Sequence, residues 1–68
     1  MKHTEAIEKS LKEFKEKHNK IPKEFICSIG FMEGLWYEKS DKVFINNQDE
    51  QMYYKFEGQK IKLTERII

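Results

Sequence analysis

An α+β domain, with an N-terminal helix packed on a small antiparallel sheet, is the fold that this 68-residue sequence predicts. Three observations point to it. Ile7, Leu11 and Phe14 recur at helical spacing among lysines and glutamates. Short runs rich in β-branched and aromatic residues follow at 23–28, 42–46 and 52–57. Two alternating runs flank Gly58-Gln59, the mark of a C-terminal β-hairpin. The order reads α-β-α-β-β-β, or α followed by a five-stranded meander, in a single domain spanning 1–68.

The first helix is expected over Thr4–His18, with Thr4 as N-cap and Glu5 and Glu8 near the positive end of the helix dipole. His18 and Ile21 extend the apolar stripe, and Glu5/Lys9, Glu8/Lys12 and Glu13/Lys17 stand in the favourable i,i+4 order. Asn19 suits a left-handed helix end, and Pro22 forces Ile21 into extended backbone. The stripe is read as lying on the chain's own sheet, because a sustained coiled coil shows about three or four heptads.

Lys23–Ser28 reads as a strand. For Ile29–Lys39 a helix capped by Ser28 is favoured over a hairpin. It groups Ile29, Phe31, Met32, Leu35 and Trp36 on one face, with Gly30, Glu33, Gly34 and Tyr37 opposite. Its weakness is two internal glycines, each costing about 1 kcal/mol relative to alanine. Lys42–Asn46 reads as a strand, and the polar loop 46–50 favours antiparallel pairing with 51–57, which sets Val43 and Ile45 on the Tyr54 face. A type II′ turn at Gly58-Gln59 then places Phe56 opposite Ile61 and Tyr54 opposite Leu63. One face carries Met52, Tyr54, Phe56, Ile61 and Leu63. The strand can run on through Glu65, leaving a tail of Arg66, Ile67 and Ile68.

A chain this short buries only about 60% of its unfolded surface, and the usual staples are missing. Cys27 is the single cysteine, so no internal disulfide can form, and with His3 and His18 it makes no zinc cluster. Stability is therefore expected from a compact core, self-association or a partner. Thirteen Lys+Arg against twelve Asp+Glu leave a net charge of +1, which supplies no bulk field for nucleic acid or membrane. The amino end turns polar too early for a signal peptide. No run approaches the ~18 apolar residues of a membrane span. The expected setting is the cytoplasm, with Cys27 a free thiol.

No catalytic constellation is legible. Cys27 and Ser28 would need a base in reach, and only His3 and His18 are on offer. In an apolar strand, Cys27 reads as a small buried hydrophobe. Gly30 and Gly34 form no phosphate loop. No cofactor and no metal site are expected.

Two surfaces remain. The outer hairpin face is expected to show Tyr53, Lys55, Glu57, Lys60, Lys62, Thr64 and Arg66, with Lys55 directly opposite Lys62. Such a face meets a phosphate backbone or an acidic protein, or simply keeps the sheet soluble. The second surface is the aromatic surplus around Trp36 and Phe44. Phe44 points away from Val43 and Ile45, so either the second helix covers it or it stays open as an interface patch.

The run Lys20-Ile-Pro-Lys-Glu-Phe-Ile-Cys-Ser28, a helix to Leu35, and Tyr54-Lys-Phe-Glu-Gly-Gln-Lys-Ile61 resemble a strand–helix–hairpin element of tailed-phage major capsid proteins. The likeness covers roughly half the chain, which is far too short for a capsid subunit. It implies a small phage or mobile-element protein without specifying an activity. The functional expectation is a non-enzymatic protein-interaction module, acting through a partner protein or a homodimer, with Tyr53, Lys55, Lys62, Arg66, Trp36 and Phe44 as contact residues. Nucleic-acid binding by the outer hairpin face is the less favoured alternative.

Overall fold

A computed structural model describes residues 2–66; Met1, Ile67 and Ile68 lie outside them. Six elements follow in order: α1 (Lys2–His18), β1 (Glu24–Cys27), α2 (Ile29–Tyr37), β2 (Val43–Ile45), β3 (Met52–Phe56) and β4 (Gln59–Glu65). This is the α-β-α-β-β-β order, with 29–37 helical instead of a strand pair. The four strands lie as β1-β4-β3-β2. The sheet is mixed where pure antiparallel pairing was expected, because β1 runs parallel to β4, with Phe25 beside Leu63. The cause is the crossover through α2, which returns β2 in the direction of β1 but at the far edge. The antiparallel pairs β2/β3 and β3/β4 then fill the space between.

Helix α1 begins two residues before Thr4, and Thr4 is not its cap. The Glu38 carboxylate just after α2 takes that role from across the fold. It accepts from the His3 and Thr4 backbone N–H groups at 2.7 and 2.9 Å, and from the Thr4 hydroxyl at 2.7 Å. Ile7 and Leu11 of the stripe are fully buried and Phe14 partly, while His18 is exposed and rests its ring 4.4 Å from that of Phe14. Asn19 closes the helix in the left-handed region with φ 56°. Among the described residues none of the three i,i+4 pairs closes. Glu8 instead meets Lys42 at 3.5 Å and accepts from the Tyr54 hydroxyl at 3.0 Å, and Lys15 pairs with Glu57.

The Ser28 hydroxyl caps α2 by accepting from the Phe31 N–H. The buried side of α2 is rotated from the expected one. Leu35 is buried and Phe31 and Met32 partly so, but Ile29 and Trp36 stand 53% and 48% exposed. Gly34, expected on the outer side, faces α1, and a Cβ there would lie 2.5–2.6 Å from the His3 ring. The close crossing of the two helices thus accounts for one of the two glycines; around Gly30 there is room.

The hairpin turn falls one residue earlier than expected. Glu57 and Gly58 have φ 48° and 81°, the double left-handed geometry of a type I′ turn. Tyr54 therefore faces Ile61 and Phe56 faces Gln59, not Leu63 and Ile61. A shift of two keeps the alternation in phase. Tyr54, Phe56, Ile61 and Leu63 are accordingly buried, with Met52 packed against them. Ile7, Leu11 and Leu35 complete this core, so both helices cover the same sheet face.

Candidate functional site

Cys27 is buried, and loss of solvation pushes its thiol up against the lowering influence of Arg66. Among the described residues no hydrogen bond joins it to an imidazole. His3 sits at no frayed end: its Nδ1 lies 2.7 Å from Glu38, and its ring meets Phe31 edge-on at 5.2 Å. Some desolvation works to raise the Glu38 pKa, but the bonds from His3 and Thr4 outweigh it and hold the carboxyl down to about 2. Tyr54 is pushed well up, by burial first and then by its bond to Glu8. These groups are spent on the fold. Among the described residues no group of three or more His, Cys, Asp or Glu is placed to hold a metal. None of their helices is long and apolar enough to cross a membrane.

The outer sheet face comes from the alternate residues of all four strands. Register places Glu24 and Ile26 of β1, Lys60, Lys62 and Thr64 of β4, Tyr53 and Lys55 of β3, and Phe44 of β2 on it. Arg66 continues beyond β4, its N–H donating to the Cys27 carbonyl. The structure therefore brings Tyr53, Lys55, Lys62 and Phe44 together, as expected of the first three. Helix α2 does not cover Phe44, which stacks on Tyr53 at 5.7 Å and 16°. The expected Lys55–Lys62 opposition is replaced: Lys55 faces Lys60, and Tyr53 faces Lys62. Asp49, in the polar loop between β2 and β3, accepts from the Tyr53 hydroxyl, and Glu24 accepts from Thr64 at 2.7 Å.

Trp36 belongs to a different place. Ile29, Met32, Trp36 and Tyr37 of α2 meet Ile45 of β2 and Met52 of β3 around an open hollow of about 270 Å³, with Glu33 on its rim. Tyr37 is 74% exposed and Ile45 49%. Alongside runs the free edge of β2. The Lys55 N–H donates to the Lys42 carbonyl, and the Asn46 N–H to the Gln51 carbonyl. By antiparallel alternation Phe44 also bonds inward, and Val43 and Ile45 turn their backbone outward. The Val43 N–H is taken by Ser40, which leaves the Val43 carbonyl and both Ile45 groups facing away from the sheet. Ile45 and the β2 edge were not singled out from sequence, and Tyr37 counted in the aromatic surplus without being named a contact residue. The signal was present in Tyr37, a large aromatic on the expected outer side of an amphipathic helix.

Compared with known proteins, the chain matches no family model, no curated sequence and no solved structure.

Proposed function

We propose that this chain is a non-enzymatic protein-interaction module whose docking surface is the outer side of α2 together with the free edge of β2. The observation that supports this most is the grouping of Ile29, Trp36, Tyr37 and Ile45 in one half-open apolar strip. Isolated surface hydrophobes are ordinary, but a contiguous patch beside unpaired strand backbone offers both apolar area and hydrogen bonds to an incoming segment. Trp and Tyr are also the residues that most often dominate interface energetics. A second copy of the chain or a different protein can fill this role, including a host or phage partner if the chain is a small phage or mobile-element protein.

Sedimentation equilibrium of the purified protein, with affinity capture from lysate, separates the two kinds of partner. A Trp36→Ser/Ile45→Lys variant with an unchanged melting curve should lose the dimer or the captured protein. A monomeric wild type that captures nothing, or capture unaffected by the double substitution, would overturn the reading.

A further inference from the structure

We infer that the uncovered sheet face is a second and independent binding site, for single-stranded nucleic acid. Both helices lie on the other face, so among the described residues no helix covers this side of the four strands, which spans roughly 14 Å from β1 to β2, three strand spacings of about 4.8 Å. It carries three lysines against the two acids Glu24 and Asp49. Among the described residues Lys55, Lys60 and Lys62 close no ion pair within 4.0 Å. Lys55 and Lys60 are direct cross-strand neighbours, an arrangement that costs stability in the free protein and is relieved by an anion lying between them. Two acids share the face and keep their charge, Glu24 bonded by the Thr64 hydroxyl and Asp49 by the Tyr53 hydroxyl, and neither bonds a lysine. Lys62 stands near Asp49, whose carboxyl its charge helps to lower after the bonds from Tyr53 and Gln51. Lys55 and Lys60 are therefore the freer cations.

Charge complementarity alone selects any polyanion. The rings narrow the choice. Phe44 and Tyr53 form a stacked ring pair on β2 and β3, to one side of these lysines. The Lys60 ammonium sits 5.9 Å from the Tyr53 centroid, at the outer limit of a cation–π contact and easily moved aside. A pair of aromatic rings beside a cluster of cations suits a ligand that carries both phosphates and flat bases. A duplex keeps its bases stacked on one another and cannot use the rings. An acidic protein would engage the lysines and leave the rings idle. The hollow under the proposed protein-binding strip opens on the helix side, so the two sites meet only along β2.

Fluorescence anisotropy at low salt tests this with labelled oligothymidine and oligouridine, the matching duplex, and a poly-glutamate peptide. The single strands should bind, with a log–log salt slope of about −2 for three lysines at ~0.7 each. A Lys55→Gln/Lys60→Gln variant, which removes a repulsion and so keeps its fold, should reduce that slope by about 1.4. Tyr53→Ala should weaken binding roughly 5- to 140-fold. Amide shifts in an NMR titration of the wild type should map to Phe44, Tyr53 and Lys60, not to α2. No anisotropy change from either single strand by a protein with a native circular dichroism spectrum would overturn the inference. Equal affinity for duplex or poly-glutamate, or shifts confined to α2, would do so as well.

Discussion

Strands β3 and β4 present two faces that share a backbone and differ in almost everything else. Toward the helices stand Tyr54, Phe56, Ile61 and Leu63, none more than 3% exposed. Toward the open side, one residue along each strand, stand Tyr53, Lys55, Lys60 and Lys62. Apolar area removed from water stabilises at about 25 cal/mol per Å², and in so small a domain the covered face must supply most of that. The open face adds little and even sets two lysines against each other. Residues that a fold does not require, kept in an arrangement it mildly resists, are where a binding role is best sought.

The contrast predicts a graded response to substitution. Leu35→Ala empties a fully buried site under α2 and should cost about 2–5 kcal/mol, enough to leave much of this chain unfolded in urea titration. Loss below 1 kcal/mol would mean that α2 is not part of the core. Gly34→Ala should destabilise by up to about 2 kcal/mol. Overpacking against the His3 ring costs roughly 1–3 kcal/mol, and the better helix propensity of alanine offsets about 1. A raised melting temperature in this variant would show that His3 swings away freely.

Acid probes the same junction. The Glu38 carboxyl is lowered in the folded protein, from 4.5 to about 2. Its contribution is therefore complete above pH 4.5 and is lost as the pH falls from there toward about 2. Thermal melts across that window should show this loss in the wild type. In Glu38→Gln that part of the acid dependence should be missing, with lower stability at neutral pH.

The open face should behave oppositely. Lys60→Glu turns a like-charge cross-strand pair into an attractive one and should raise stability by about 0.2–1 kcal/mol, while weakening any anion binding there. A clear loss of stability would mean that the face is structural after all. Of similar size, Gly30→Ala should stabilise by about 0.4–1 kcal/mol, since its Cβ meets only open space and the Ser28 hydroxyl at 4.0 Å. Opposite signs at two glycines of one short helix would separate the crossing from the propensity.

How far the sequence anticipated this follows from the range of each interaction. Alternation around the hairpin identified all five inward residues even though the turn was placed one residue late, because a register shift of two changes partners but not faces. The i, i+4 stripe likewise placed Ile7 and Leu11 correctly. Sequence pattern could not show the pairing of β1 with β4, since Phe25 and Leu63 lie far apart and neither carries a mark of strand direction. Nor could it show that both helices take one side, which decides that Phe44 stays open. Glu38 looked like any surface acid, and its partners His3 and Thr4 are 35 and 34 residues away. The rotation of α2 that exposes Trp36 and Ile29 depends on Gly34 meeting His3, again a long-range contact.

One consequence follows from the place of β4 between β1 and β3. The middle of the sheet is made late in the chain. While the polypeptide is being synthesised, Glu24–Cys27 must wait without its ladder until Gln59–Glu65 has emerged. The helices meanwhile have no floor on which to rest. A chain interrupted just after Phe56 would lose the central plank instead of a border, so assembly is all but deferred until the last turn is complete.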